Sequence, residues 1–311
     1  MSSNHAVYRA IYLLGLFVSL SLFVSALQGQ TKPAAQGTVG TPVLWREPSD
    51  IASRNLFLGP GSEAMKPNLS KVTLIEEKES ASSPKFRVRD GSGREWSVKV
   101  GGEARSEVAA GRLIWAVGYF TDISYLVPRV EIENKGVFQN ARFEARQKGV
   151  KRLDEWMWDN NPFLGTREMQ GLKVLLALLD NWNLKNENNK ILFVRDDEGG
   201  SSELRYIISD LDTKFDKTGA SPGLWQLTKP TTAKLIAQVK DNVVDFGYNG
   251  KHKERVSGIT VEQARWIGGW LTRLNDRQIN DALRAGGYSN DEAQSIGKTL
   301  RARIDELASL K

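Results

Sequence analysis

The chain has 311 residues, 40% of them hydrophobic, and 43 Lys and Arg against 37 Asp and Glu give a net charge of +6. This is enough for one two-lobed domain, or two small ones, with a substantial core. The chain has no cysteine, and His5 and His252 are its only histidines, so disulfides, thiolate catalysis, Cys-based zinc sites and His-based triads or metal clusters are excluded. Basic and acidic residues are interspersed, as in Lys71–Glu79 and Arg301–Glu306. Such mixing reads as solvated surface and argues against a nucleic-acid partner.

The N-terminus opens on a short polar start, Met1–Arg9, an apolar run, Ala10–Ala26, and a small-x-small step at Val24-Ser25-Ala26. These features predict a signal peptide over residues 1–26. The alternative is an uncleaved membrane tether through residues 10–26, at the short end for a bilayer span. Either places the remainder outside the cytoplasm, secreted or periplasmic. A chain without disulfides suits a bacterial envelope better than an extracellular module. Residues 27–54, rich in Gly, Pro, Thr and Ala over Gln30–Glu47, are expected to be a linker.

Over 55–150 a small β-rich lobe is expected. Leu58-Gly59-Pro60-Gly61-Ser62 lacks spaced glycines and reads as a turn before the first strand rather than a phosphate-covering loop. Strands are expected at Val72–Glu77, Lys85–Arg89 and Glu95–Val100, the last two joined by Asp90-Gly91-Ser92-Gly93. A helix follows over Glu103–Tyr119, with Glu103 and Glu107 one turn apart, and then strands at Asp122–Val130 and Val137–Ala145.

Over 151–311 the chain is expected to be mainly helical. Helices are placed at Arg152–Trp158, from about Thr166 to Asp180, and at Thr231–Asp241, Thr260–Leu274, Asp276–Ala285 and Asn290–Leu310. Between Asp180 and Asp216 lie a polar loop and two strands, Lys190–Arg195 and Leu204–Ser209, about an Asp196-Asp197-Glu198-Gly199-Gly200 turn.

This order of elements, and the letters inside it, resemble the protein-kinase-like superfamily in its divergent atypical branches: HipA-type, phosphatidylinositol-kinase-like and secretory-pathway kinases. Asn183-Leu184-Lys185-Asn186-Glu187-Asn188, trailed by Ile191-Leu192, is similar to the kinase catalytic loop D-L-K-P-E-N. Ile208-Ser209-Asp210-Leu211-Asp212 is similar to I-S-D-F-G, and Ser97-Val98-Lys99 to the V-A-I-K strand. The resemblance covers roughly Lys71 to Asp216 and leaves no single motif intact. It implies an α+β bilobed kinase-like fold binding ATP, or another nucleotide, with Mg2+. In that reading Lys99 reaches the phosphates, Glu107 holds Lys99, and Asn188, Asp210 and Asp212 supply oxygen ligands to the metal.

Asn183 and Lys185 occupy catalytic-loop positions, but an amide at Asn183 cannot accept a proton as the kinase Asp does. Asp180 stands in as base if the loop is reshaped; otherwise the chain is a pseudokinase that binds without transfer. Asp245-Phe246-Gly247 spells D-F-G yet lies outside the required hairpin context, so Asp210 is taken as the metal acid.

Two other classes stay open. Nine Trp raise a glycan-binding alternative, weakened because Trp96, Trp115, Trp266 and Trp270 fall in periodic core patterns, with Trp182 inside the polar loop. Asp180, Asp210 and Asp212 are the acids that a glycosidase would use. The phosphate acceptor, whether protein, lipid or glycan, is not readable.

Overall fold

The computed structural model describes residues 39–78, 84–181, 184–195, 201–211 and 234–311. The expected signal peptide, Trp182, Asn183, the 196–200 turn and Asp212 lie outside them. Among the described residues no helix is long and apolar enough to cross a membrane.

The first large feature is a five-stranded antiparallel sheet in the order β2-β3-β4-β6-β5. Its strands are β2 (Thr73–Lys78), β3 (Lys85–Arg89), β4 (Glu95–Val100), β5 (Ser124–Ile132) and β6 (Gly136–Ala145). Alternation builds it: Phe86, Val88, Trp96 and Val98 fall on one face with Tyr125, Val127 and Phe143, forming an apolar core of their own. Trp96 sits at its centre, fully buried, edge-on to Phe143 at 5.8 Å and Tyr125 at 6.1 Å. The β3–β4 hairpin is fixed by Asp90, whose carboxylate accepts from the amides of Ser92, Arg94 and Asn68 and from the Trp96 indole. A polar turn residue thereby locks both the turn and the core beneath it.

Helix α1 (Glu103–Ala116) follows β4 directly. Small residues, Ala104, Ala109, Ala110 and Ala116, let it be buried almost all round. It packs on α4 (Asp276–Ala285) while α3 (Val261–Leu271) contacts both α2 (Arg167–Leu178) and α5 (Asn290–Ala308). These helices share one large apolar core. Helices α2 to α5 are each N-capped by a side chain: Thr166, Thr260, Asn275 and Ser289, the last three as reciprocal capping boxes.

A second sheet, in the order β1-β9-β8-β7, joins β1 (Thr41–Val43), β7 (Val150–Arg152), β8 (Asn189–Val194) and β9 (Glu203–Ile208). The expected hairpin is its antiparallel β8–β9 pair. Three expectations differ from what forms. The linker expected over 27–54 enters the fold early: β1 pairs in parallel with β9, and Trp45 donates to Val117 O while packing edge-on against Trp266 and Trp270. That crossing requires Gly118, at φ 100°, because a Cβ there would lie 2.3 Å from Arg46 O. The described residues from Gly40 on accordingly form one compact unit that holds both of these sheets and helices α1 to α5.

The helix expected over Arg152–Trp158 is absent. Arg152 ends β7, and Trp156 leaves the helical path to donate to Ile207 O with its ring 4.8 Å from that of Trp158. The described part of the helix expected over Thr231–Asp241 is instead a two-stranded ribbon, β10 (Gln238–Lys240) with β11 (Val243–Asp245). Asp241 and Asn242, at φ 49° and 62°, make the tight turn between them, a conformation that Asp and Asn tolerate best among side-chain-bearing residues.

Candidate functional site

Alternation on β4 buries Trp96 and Val98 in the apolar core and sends Lys99 to the opposite face. There its cross-strand neighbours are Lys85 on β3 and Arg142 on β6. Like charges side by side repel. The conflict is resolved by α1, which Gly101-Gly102 start at once after the strand, so that its first two turns lean over Lys99. Glu107, with no exposed side-chain surface, lies 2.7 Å from Lys99 Nζ through Oε1 and 2.7 Å from an Arg142 nitrogen through Oε2. Glu103 also reaches Lys99, at 3.1 Å.

The third element is the tail of β9. Amides of Ser209 and Asp210 both point to Asn188 O, at 2.7 and 3.3 Å, which pins the chain after the hairpin to the end of the polar loop. Asp210 Oδ1 then lies 3.2 Å from Lys99 Nζ. Lys99, Glu107, Asn188 and Asp210, from a strand, a helix, a loop and a hairpin end, are thus brought together as a connected set.

The network extends further than the sequence suggested. Glu144, on β6, takes Arg142 at 3.0 Å, Arg146 at 2.6 Å and Arg152 at 3.3 Å. Asp122 pairs with Arg152 at 2.5 Å and accepts from Ser209 Oγ at 2.8 Å. Ser209 immediately precedes Asp210, so this second cluster holds the backbone that aims the acid. The sequence carried half of the signal: Arg142 and Glu144 alternate with apolar Ala141, Phe143 and Ala145, which places them on the opposite face of the sheet but does not say that this face is covered.

Burial opposes charge on Lys99, but Glu107 and Asp210 outweigh it and hold the ammonium well above its usual range. Asp210 is also partly desolvated, yet Lys99, a hydrogen bond with Glu107 and Arg142 hold its carboxyl well below the usual range. Glu107 goes the other way: complete burial, against the pull of Arg142 and with the charge of Asp210 adding, pushes it up to about 8. Two carboxyls around one ammonium are therefore split into an anion and a group that holds its proton near neutrality.

Asp180 is placed differently from its expected role as base. It adopts φ 50° just after α2, and its Oδ2 lies 3.2 Å from Arg303 on α5, whose same nitrogen donates to Leu178 O. Burial raises its pKa against the Arg303 charge. The ion pair anchors the end of α2 to the last helix. Lys185 precedes the short turn Asn186–Asn188 without a side-chain capping bond and makes no ion pair among the described residues. Asn183 and Asp212 lie outside the described residues, and within those residues no group of three or more Asp, Glu or His is placed to hold a metal.

The remaining motifs resolve as structure. Asp245 ends the β10–β11 ribbon and accepts from the Gly247 amide at 2.9 Å, with Phe246 buried. The 58–62 turn packs on α1 and β5: a Cβ on Gly59 would meet the Arg112 guanidinium, and one on Gly61 the Tyr125 hydroxyl.

No protein-family model matches the chain, and no curated protein matches it. Among solved structures it is similar to a Helicobacter pylori proinflammatory kinase, CtkA, at 11% identity and a TM-score of 0.44, covering 76% of this chain and 96% of that one. It is also similar to the Golgi casein kinase, at 8% identity and a TM-score of 0.36, covering 78% of this chain and 73% of that one.

Proposed function

We propose that this chain is an exported kinase-like domain that binds a nucleotide with Mg2+ in the cleft marked by Lys99 and Asp210. The observation that carries this reading is the lysine itself. A buried ammonium from a sheet strand, clamped at 2.7 Å by a helix glutamate and 3.2 Å from an acid that follows a later hairpin, is the pairing that phosphoryl transfer by kinases needs. Structural ion pairs also perturb pKa values; here the lysine is buried between two glutamates of one helix and an aspartate that follows a later hairpin.

The donors fit a hard divalent cation. Asp210 stays ionised and keeps a third of its side-chain surface exposed, and its amide donates to the backbone carbonyl of Asn188, so an amide-bearing residue adjoins the carboxylate. A metal held there would neutralise phosphate charge, and Lys99, oriented by Glu107, would be the cation that meets a phosphate oxygen. Arg142 keeps Glu107 in place, and Asp122 with Ser209 holds the Asp210 backbone. Export rests on the apolar run over residues 10–26 and the Val24-Ser25-Ala26 step, and the mass of the mature chain tests it.

A second reading, binding without transfer, is favoured by one observation: Asp180, the substitute base, is engaged by Arg303 at 3.2 Å. Incubating the full chain with Mg-ATP separates the two. ADP formation lost in Asp210→Asn supports transfer; saturable binding without ADP supports the pseudokinase; neither binding nor ADP overturns both.

A further inference from the structure

The back of α1 carries a different site, on residues that the Lys99 cluster does not use. Arg112 lies on this side of the helix, 2% exposed, and no carboxylate among the described residues pairs with it. Its described partners are neutral: Nη2 donates to Ser124 O at 2.6 Å, and the guanidinium carbon lies 5.4 Å from the centre of the Tyr125 ring. Its Nε is buried without a hydrogen-bond partner. Burial, with nothing but Tyr125 to offset it, lowers its pKa to about 10. The backbone makes room for this group, since Gly59, at φ 71°, leaves the space that a Cβ would occupy 2.3 Å from the guanidinium.

Arg112 lines a cavity of about 310 Å³ whose other walls include Phe57, Leu69, Leu126 and Val127. Phe57 and Leu69 are exposed, 45% and 44%, and so lie towards solvent. The other charged lining residues, Lys66 and Arg284, are both basic, and among the described residues no acid lines the space. A buried cation without a counter-charge is unfavourable, and an apolar side chain of equal volume would fill the position at less cost. An apolar chamber with one convergent charged group is the form that small-ligand sites take.

We infer that this cavity binds a small monocarboxylate with an apolar body, its carboxylate received by Arg112 and its hydrocarbon part by Leu126, Val127, Phe57 and Leu69. The planar guanidinium offers a buried, charge-assisted contact to a carboxylate, and Arg284 adds positive charge at the opening, whereas Lys66 is paired with Glu63 at 2.9 Å. This inference does not depend on the nucleotide reading, because Lys99, Glu107 and Asp210 take no part in it.

Calorimetric titration of the full chain with hexanoate, octanoate and benzoate tests it, with hexanamide, octanol and benzamide as uncharged counterparts. At least one carboxylate is expected to bind saturably, and its uncharged counterpart about tenfold more weakly or worse, a difference of about 1.4 kcal/mol. Arg112→Gln should abolish that preference for charge, while Leu69→Trp, a change at an exposed position of the lining, should weaken carboxylate and amide alike. If Arg112→Gln does not fold, the charge preference in the unmodified chain together with Leu69→Trp decides. Absence of binding by all three carboxylates, equal binding of the uncharged counterparts, or binding untouched by Leu69→Trp would overturn the inference.

Discussion

Replacing Lys99 with Met removes the ammonium on which three acids converge while keeping most of the side-chain volume. Breaking a buried ion pair by deleting one partner costs roughly 3–5 kcal/mol, because the other charge is left desolvated. Here two features reduce that: Arg142 remains 2.7 Å from Glu107, and Asp210 retains a third of its side-chain surface for water. The expected loss is therefore about 2–3 kcal/mol at neutral pH. Urea unfolding followed by circular dichroism reads it, and the cycle with Asp210→Asn isolates the pair, with an expected coupling of about 1 kcal/mol or more. The acid limb gives a second readout. Asp210 has its folded pKa held below the ordinary 3.8, so its contribution is complete above pH 3.8 and is lost as pH falls through the lower folded value. Lys99→Met should flatten that loss. Additive single substitutions, with an acid limb like that of the unmodified chain, would refute the convergence of these groups.

Glu107 carries a prediction of opposite sign. Its pKa, pushed up to about 8, should fall when a cation joins Asp210, so nucleotide binding releases a proton and affinity rises with pH until about 8; Glu107→Gln should flatten that dependence, as titration in buffers of different ionisation enthalpy reads. If the Asp180–Arg303 contact is an anchor for α2, Asp180→Asn should lower stability by about 1–3 kcal/mol while nucleotide affinity stays within about twofold; a large loss of turnover at unchanged stability would restore Asp180 as base. Asp90→Ala strands three amides and the buried Trp96 indole, so thermal melts should show a loss of about 3 kcal/mol, and a loss under about 1 kcal/mol would mean that water replaces the carboxylate.

The legible part of this fold was the part written in local periodicity. Phe86 and Val88 against Trp96 and Val98, with Asp90-Gly91 between, specify the hairpin outright, and Thr260 and Ser289 announce helices by capping chemistry that acts within four residues. Lys99, Glu107 and Asp210 could be nominated only through resemblance to a family pattern. Their meeting depends on sheet register and on α1 packing, which no local window contains. The same limit explains the errors. Thr41–Val43 became a strand because β9, far along the chain, offered it an edge, and Trp156 was drawn from a helical path by a carbonyl on that strand. Gln238–Lys240 pairs as a strand because Asp241-Asn242, both at positive φ, form a tight hairpin turn, a chemistry that helical periodicity does not register. Arg142 and Glu144 were missed for a different reason: charge on an alternating strand reads as solvent-facing until a helix is known to cover it.

The most direct test is calorimetric titration of the full chain with ATP, with and without Mg2+, repeated on Lys99→Met and Asp210→Asn after each has been shown to fold. Saturable binding that requires the metal and weakens at least about tenfold in both variants, about 1.4 kcal/mol for each, is the expected result. No binding by the unmodified chain, or binding that both substitutions leave intact, would contradict a nucleotide site at Lys99 and Asp210.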